Sequence, residues 1–412
     1  MSKTFCPLPW NHLATHPHGS VTLCCESEMG NRRSESFNRN DPESTRFDKR
    51  GFKTFQSTNY DFTKIVNSDS FNEVRLDMLN DRIPDPCKKC FEYEDAGVIS
   101  KRQRELNRLP YTYEEAQSIT NEDGSINKID YQFIELRLGN HCNLACRSCN
   151  PSSSTRWIDD WEGYTNTPWK VDKALFEWPL NGDFWKKLGD VSSNKLEQLY
   201  INGGEPLLID KHANYLEYLV ENDYAKNINL YYSTNCTVKN NIYLDYWPHF
   251  KQVEFLLSID DIEHRNHYIR YPSDWKKIIH TYEWFTDLRH KYDNIKISIM
   301  QTLSLYNIFY VDEFTDYFKK VDKYSYIHSN FVYAPKYLSP VNLPYEIKYL
   351  ICNKLDDTER NLGIKKYLQN DGDINELRTF FQKTKVLDDI RKEDFYSVFP
   401  ELVYYLKAYK FL

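Results

Sequence analysis

The amino-acid sequence predicts an α/β protein: a partial (β/α)6 TIM-like barrel, preceded by a small cysteine-rich domain and followed by a helical extension. Three observations support this class. Between residues 131 and 343, short apolar runs alternate with longer amphipathic segments. Half of the ten cysteines lie in the first ninety or so residues, and the segment from about Pro344 onward has a helical pattern. We therefore predict domains at residues 1–95, 131–343 and 344–412, with a helical connector at 96–130.

The composition favours a soluble, cytoplasmic protein. Among 412 residues, 53 are Lys or Arg and 60 are Asp or Glu, for a formal net charge of -7. These charges are mixed along the chain, so they do not favour a nucleic-acid-binding surface. The first residues lack the features of a secretory signal, and no apolar run approaches the ~20 residues that cross a membrane. In a reducing compartment the ten cysteines are poor disulfide candidates, and their close spacings favour metal or cluster binding.

The central region contains six candidate strands. They are "FIELRL", "LEQLYI", "INLYYS", "VEFLLSI", "IKISIMQTL" and "SNFVYA". Amphipathic segments between them, such as "KHANYLEYLVEN" and "WKKIIHTYEWFTDLRHKY", predict helices. Alternating strands and helices imply parallel strands with right-handed crossovers. Because a β/α barrel places its reactive groups at the C-terminal ends of the strands, residues that follow each strand are candidate site residues.

The N-terminal region is polar in its second half and has few periodic apolar runs, which is typical of a small domain stabilised by a bound metal. Its candidate ligands are Cys6, Cys24, Cys87 and Cys90. On these residues alone, structural zinc and an iron–sulfur cluster are equally supported, and His16 or His18 could contribute to a zinc site. Beyond them, "AGVISKRQRELNRLPYTYEEAQ" predicts a helix and a connector, and the C-terminal "EDFYSVFPELVYYLKAYKFL" predicts a helix packed on the open side of the barrel.

A second group of cysteines follows the first barrel strand directly. Cys142, Cys146 and Cys149 lie within eight residues of one another. Three thiolates on such a loop can ligate one iron–sulfur cluster and leave one iron without a protein ligand. Zinc would require a fourth ligand, and His141 is adjacent to Cys142 and poorly placed to provide it. The spacing therefore favours a cluster over zinc.

This spacing after a barrel strand resembles the CX3CXΦC signature of the radical S-adenosylmethionine (SAM) superfamily. The resemblance implies a 4Fe-4S cluster whose open iron is chelated by the amino and carboxylate groups of SAM. It also implies a flavodoxin- or ferredoxin-type electron donor, and reductive cleavage of SAM to a 5′-deoxyadenosyl radical that abstracts a substrate hydrogen. Ser148 occupies the Φ position, which is normally aromatic and close to the adenine.

Residues after two later strands resemble further motifs of this superfamily. The GGE motif, which binds the methionyl amino group, is matched by Gly203, Gly204 and Glu205. Thr234 and Asn235 resemble the "TN" that ends the third strand, and Cys236 replaces the glycine that often follows.

The fourth and fifth strands add polar candidates. Ser258 and, twelve residues later, Arg270 resemble the serine and arginine that hold the methionyl carboxylate and neighbouring polar groups in peptide-modifying members. Gln301, on the fifth strand, is a candidate contact for the ribose or the substrate.

The N-terminal cysteines resemble the CX9-15GX4C hairpin of SPASM and twitch domains, completed by a later Cys pair. Cys6, Gly19 and Cys24 match the hairpin, and Cys87 and Cys90 match the pair. The resemblance implies an auxiliary 4Fe-4S cluster, and thus a radical SAM protein with an N-terminal twitch domain. Four ligands would saturate this cluster, which favours electron transfer or a structural role over substrate binding.

Cys25 is the alternative to Cys24 as a ligand.

The resemblance to SPASM and twitch enzymes makes a peptide or protein side chain the leading substrate, with a small metabolite such as an aminoglycoside or sugar-like compound as the alternative. Epimerisation would need a hydrogen donor, for which Cys236 and Cys352 are candidates. The segment "TRWIDDWEGYTNTPWK" predicts either a substrate entrance or a packed lid. A non-catalytic iron–sulfur or zinc scaffold or sensor is the alternative from a different functional class.

Overall fold

The computed structural model describes residues 3–27, 61–95, 99–332 and 334–411. Parts of the predicted domains, connector and sixth strand lie outside the described residues, namely 1–2, 28–60, 96–98, 333 and 412. The chain divides into two compact units. The first comprises Met1–His141, Val171–Tyr232 and Asn241–Val253, and the second comprises Cys142–Lys170, Ser233–Asn240 and Glu254–Leu412. The four-part division made from the sequence stays a prediction.

The strands of the described chain form one eight-stranded sheet in the order β2-β1-β3-β4-β5-β6-β7-β8. Their bounds are β1 His12–Thr15, β2 Val21–Thr22, β3 Phe133–Leu138, β4 Gln198–Gly203, β5 Asn229–Thr234, β6 Gln252–Ser258, β7 Ile295–Leu303 and β8 Tyr326–Phe331. Strands β3 to β8 correspond to the strands predicted from the sequence and neighbour one another in chain order. The predicted α/β class is confirmed.

Parallel pairing joins β1 to β3, β3 to β4, β4 to β5 and β7 to β8, whereas β1 and β2 form an antiparallel hairpin. Strand β1 extends the sheet beside β3, with His12 opposite Phe133 and Ala14 opposite Glu135. A four-residue strand is too short to show the alternation that would have predicted this pairing.

The described helices lie between and after the strands. Their bounds are α1 Leu8–Asn11, α2 Phe62–Val66, α3 Asp69–Leu79, α4 Lys88–Asp95, α5 Lys101–Arg108, α6 Tyr113–Ile119, α7 Ile158–Thr165, α8 Gly182–Asp190, α9 Ala213–Glu221, α10 Glu263–Ile269, α11 Trp275–Lys291, α12 Val311–Val321, α13 Tyr345–Lys354, α14 Glu359–Leu368, α15 Ile374–Arg391, α16 Phe395–Val398 and α17 Pro400–Ala408. The two predicted barrel helices are confirmed as α9 and α11. None of these helices is long and apolar enough to span a bilayer.

The helical C-terminal region is also confirmed, but its last predicted helix is broken. Phe399 separates α16 from α17, and Pro400 is the first residue of α17. Proline has no backbone N–H to donate within a helix, so it is favoured at a helix start. In the second unit, buried side chains from the end of β7, from α10 and from α12 to α17 pack into one apolar core.

Candidate functional site

The four predicted N-terminal ligands line one cavity in the first unit. The cavity is also lined by Leu8, Glu26, Ser27, Met78, Lys101 and Arg102. Cys6 lies before α1 and Cys24 lies just after β2. Cys87 immediately precedes α4, and Cys90 lies in the first turn of α4. Within the described chain, Cys25 is not among the lining residues. The structure thus brings the predicted set together, while their role as ligands stays a prediction.

The hairpin between Cys6 and Cys24 depends on its glycine. Gly19 has a φ of +83°, a left-handed conformation that side chains rarely adopt. A Cβ atom at this position would lie 2.8 Å from Cδ1 of Trp178, whose indole Nε1 donates a hydrogen bond to the carbonyl of Pro17 at 2.9 Å. The glycine in the CX12GX4C spacing therefore serves both the turn and close packing against Trp178.

Burial favours the protonated form of three thiols of the cavity. Burial raises the pKa of Cys6 to about 12, and it also raises the pKa values of Cys24 and Cys87 well above the ordinary thiol range. Nearby Arg102 opposes this shift at Cys6 and Cys87, and Lys101 opposes it at Cys24. Because thiolates are the metal-binding form, iron would displace these protons on binding.

The central cysteines converge on one loop of the second unit. Cys142, Cys146 and Cys149 pack together around Leu144. A hydrogen bond between the thiols of Cys146 and Cys149 lowers the pKa of Cys146 to about 7 and raises that of Cys149. The positive charge of Arg270 acts to lower both pKa values. One thiolate of this pair therefore forms near neutral pH. In the described residues, no group of three or more His, Cys, Asp or Glu side chains is placed to hold a metal ion.

A buried arginine between the second and third cysteines anchors this loop to the C-terminal helices. The Arg147 side chain is 0% exposed, and its Nη2 lies 2.6 Å from Asp388 Oδ1 and 2.9 Å from Glu393 Oε2. Its guanidinium also stacks on the ring of Tyr268, 3.5 Å from the ring centre. Paired charges in this setting hold the loop in one arrangement, because an unpaired buried charge is costly.

The tryptophan-rich segment packs against the same loop. Trp157 is buried, and its indole Nε1 donates a hydrogen bond to the carbonyl of Cys146 at 2.8 Å. The guanidinium of Arg391 stacks on the Trp157 ring at 4.8 Å, and its Nε donates to Asp160 Oδ2 at 2.8 Å. In this part of the segment the packed interpretation fits the contacts.

Arg270 has a free donor beside the central thiols. Its Nη1 lies 2.9 Å from Asp260 Oδ2, and its positive charge acts on both Cys146 and Cys149. Its Nε is buried and has no hydrogen-bond partner among the described residues. A buried donor without a partner is costly, so the site fits an anionic group such as a carboxylate.

The end of β5 also meets the cysteine loop. The side-chain amide of Asn235 donates to Asn143 Oδ1 at 2.8 Å and lies 3.8 Å from the sulfur of Cys142. Cys236 follows with a φ of +59°, which explains why glycine suits this position. Its thiol is fully buried and lies 3.7 Å from the carbonyl of Ile278 on α11, a contact typical of a structural thiol.

The glycine motif after β4 allows a close backbone contact in the first unit. A Cβ atom on Gly204 would lie 2.3 Å from the carbonyl oxygen of His141, the residue before the cysteine loop. The backbone N–H of Glu205 donates to that same oxygen at 2.8 Å. The Glu205 side chain is fully buried, and its Oε1 accepts a hydrogen bond from the N–H of Leu207 at 3.1 Å.

Gln301 is not on the strand face that carries Ser258. Glu254 shares a face of β6 with Ser258, and it accepts a hydrogen bond from Ser298 of β7 at 2.7 Å. Gln301 is three residues beyond Ser298, so it points to the opposite face. There its amide donates to the Asp260 carbonyl at 3.0 Å and its carbonyl accepts from Arg360. The role of Gln301 as a ribose or substrate contact stays a prediction.

Several residues of the site were missed from the sequence. A signal existed for Asp260, a carboxylate just after β6. Arg147 pairs with Asp388 and Glu393, which lie more than two hundred residues away along the chain. No local sequence pattern indicates these pairs.

Two comparisons with known sequences bear on these sites. Residues 6–91 match the family model of SPASM, an iron-sulfur cluster-binding domain. This match confirms the SPASM- and twitch-related character predicted for the N-terminal region. No curated protein sequence matches the chain.

Similar solved structures include native anSMEcpe with bound AdoMet and the Cp18Cys peptide, at 16% identity and a TM-score of 0.36, over 53% of this chain and 57% of that chain. Streptococcus suis SuiB bound to S-adenosylmethionine matches at 13% identity and a TM-score of 0.35, over 81% of this chain and 68% of that chain. TYW1 with a lysine-pyruvate adduct bound matches at 14% identity and a TM-score of 0.31, over 54% of this chain and 75% of that chain. This chain thus spans little more than half of anSMEcpe, and TM-scores at this level do not establish a shared fold.

Proposed function

We propose that this chain is a radical SAM enzyme that modifies a peptide or protein side chain, with an auxiliary 4Fe-4S cluster assisting electron transfer. The observation that carries the proposal is the three-cysteine loop with the partnerless Nε of Arg270 buried beside it. Three thiolates leave one iron of a 4Fe-4S cluster without a protein ligand. A ligand with a carboxylate and an amine, as SAM has, suits both the open iron and the free donor.

The chain's own residues would hold the cofactor in the following way. Cys142, Cys146 and Cys149 would ligate the central cluster, and Arg270, oriented by Asp260, would bind the SAM carboxylate. The sequence resemblance assigns the amino group to Glu205. When bound, the cluster and SAM supply a 5′-deoxyadenosyl radical, which abstracts a hydrogen atom from the substrate.

The contribution of the fold is to fix the loop and keep water from it. Arg147 and Trp157 hold the loop from two sides through buried contacts. Cys142 and Cys146 are themselves buried. Exclusion of water protects a reactive radical from side reactions, so these packing residues support the proposed chemistry directly.

The N-terminal cavity would hold the auxiliary cluster through Cys6, Cys24, Cys87 and Cys90. The SPASM match over residues 6–91 supports iron–sulfur binding here. Four thiolates saturate a 4Fe-4S cluster, so full ligation favours electron transfer or a structural role over substrate binding. The SPASM relationship also supports a peptide or protein substrate over a small metabolite.

Anaerobic reconstitution tests the proposal. We expect about eight irons per chain and release of 5′-deoxyadenosine when reductant and SAM are added. The variant with Cys142, Cys146 and Cys149 replaced by Ala should keep about four irons and lose the nucleoside product. Tetrahedral zinc with no nucleoside product would instead identify a non-catalytic scaffold or sensor and reject the enzyme.

A second measurement identifies the substrate class. Candidate peptides with deuterated side chains are incubated with the reconstituted enzyme, and deuterium in 5′-deoxyadenosine is measured by mass spectrometry. Transfer from a peptide supports the proposed class, and transfer only from a small metabolite rejects it.

A further inference from the structure

The cavity of the N-terminal cysteines is completed by a helix outside the matched SPASM segment. The match ends at residue 91, whereas α5 begins at Lys101. The first two residues of α5, Lys101 and Arg102, line the cavity together with the four cysteines. The region predicted only as a connector therefore supplies two cations to this site.

Lys101 carries a positive charge into a buried environment. Its side chain is 11% exposed, and its Nζ lies 3.5 Å from Glu105 Oε1 and 3.8 Å from Glu135 Oε2. A lysine side chain that has two carboxylates this close is charged at neutral pH.

Arg102 is held differently. Its Nε donates to Glu94 Oε1 at 3.0 Å and its Nη1 donates to the carbonyl of Phe5 at 3.0 Å. Phe5 precedes Cys6, so this contact fixes the start of α5 against the first cysteine. The charge of Arg102 is matched by the direct contact with Glu94, whereas the carboxylates around Lys101 are farther from its Nζ. Arg102 is thus held in a two-point ion pair with Glu94, whereas Lys101 is not held in one.

We propose that Lys101 raises the reduction potential of the auxiliary cluster, making it an electron acceptor rather than a purely structural group. A cluster that takes up one electron gains negative charge, and a nearby cation stabilises that charge strongly where water is excluded. Net charge and hydrogen bonds near the sulfurs are among the factors that set cluster potentials. This inference rests on the auxiliary cluster of the proposed function.

The test is a reductive titration of the auxiliary cluster alone. Full-length chains with Cys142, Cys146 and Cys149 replaced by Ala are reconstituted, titrated with dithionite and followed by electron paramagnetic resonance. We expect Lys101→Met to shift the reduction equilibrium about tenfold toward the oxidised form, which is about 59 mV for one electron. Lys101→Arg should restore most of the shift, because it restores the charge.

Lys88→Met is the matched control. Lys88 is adjacent to Cys87, but its side chain is 60% exposed and pairs with Asp85. Water and salt screen an exposed charge, so this variant should leave the potential unchanged. An equal shift in Lys88→Met and Lys101→Met would overturn the specific role of Lys101.

The remaining outcomes are also decisive. An unchanged potential in Lys101→Met with about four irons bound overturns the inference. If that variant loses its iron, Lys101→Gln is titrated in its place, and an unchanged potential there overturns the inference equally. Failure of the parent chain to bind any cluster contradicts the proposed function instead, so the two failures are distinguishable.

Discussion

The N-terminal site gathers four cysteines from three separated stretches of chain, whereas the central site takes three from one loop of eight residues. Their electrostatics differ as well. Burial raises the pKa of Cys6 to about 12, while a hydrogen bond with Cys149, together with the charge of Arg270, lowers the pKa of Cys146 to about 7. The N-terminal site has four thiols in one cavity. The central site has three thiols, and the buried Nε of Arg270 beside them has no hydrogen-bond partner in the described part of the chain.

This difference shows how the number of ligands and the surrounding charges can separate two roles for the same side chain. A complete set would saturate a cluster, and nearby charges would then adjust its reduction potential, as we propose for Lys101. An incomplete set leaves room for another ligand, and its geometry then depends on residues that hold the loop. In this protein those residues, Asp388 and Glu393, belong to the C-terminal extension.

The largest expected effect separates Cys24 from Cys25. Cys24 lines the cavity and Cys25 does not, so Cys24→Ala should lose about four irons per chain after reconstitution, whereas Cys25→Ala should retain them. Iron and sulfide analysis measures the difference. The reverse result would show that Cys25 is the ligand and that the cavity rearranges on binding.

The second prediction concerns the anchor of the central loop. Asp388→Asn leaves Arg147 buried with only Glu393 as an anionic partner, and we expect a loss of about 3 kcal/mol in the free energy of unfolding of the metal-free protein. We also expect the reconstituted variant to lose iron from the central cluster first, measured by iron content over time.

Asp389→Asn is the control for this variant. Asp389 is the next residue, but its side chain is exposed and pairs with Lys385 on the helix surface. Exposed pairs contribute about 1 kcal/mol or less. If both variants behave alike, the anchor has no special role in the central site.

A smaller effect is expected from Trp157→Phe. The change keeps most of the buried ring but removes the hydrogen bond to the Cys146 carbonyl, at a cost of about 1–2 kcal/mol in the free energy of unfolding. Chemical denaturation measures it, and Trp161→Phe serves as a control for a neighbouring tryptophan of the same segment. If the variant loses iron from the central cluster no faster than the parent chain, Trp157 contributes to packing and not to retention of the cluster.

The smallest effect is the pH dependence of the stability of the metal-free protein. Because burial raises the pKa of Cys6 to about 12, the folded state holds a proton that the unfolded chain releases near pH 8.5. The stability linked to this proton is complete below about pH 8.5 and declines as the pH rises toward 12. Denaturation midpoints at about pH 7.5 and 9.5 should therefore differ more in the parent chain than in Cys6→Ala. If the midpoint changes by the same amount between the two pH values in both proteins, the Cys6 thiol is not the source of the pH dependence.

Much of the barrel could be predicted from local patterns. The alternation in "IKISIMQTL" marks β7 at its observed bounds, and the spacing of Cys142, Cys146 and Cys149 identifies the central loop without any structure.

By itself, the sequence determined the order of strands β3 to β8, the α/β class and the cysteines that could act together, because periodicity and spacing act over a few residues. Only the tertiary structure decided that β1 pairs with β3, that Cys24 rather than Cys25 faces the cavity, and that Lys101 and Asp388 reach the two sites. Those outcomes depend on which distant surfaces bury one another and which charges find partners, and free energies of that kind are set by packing across the whole chain.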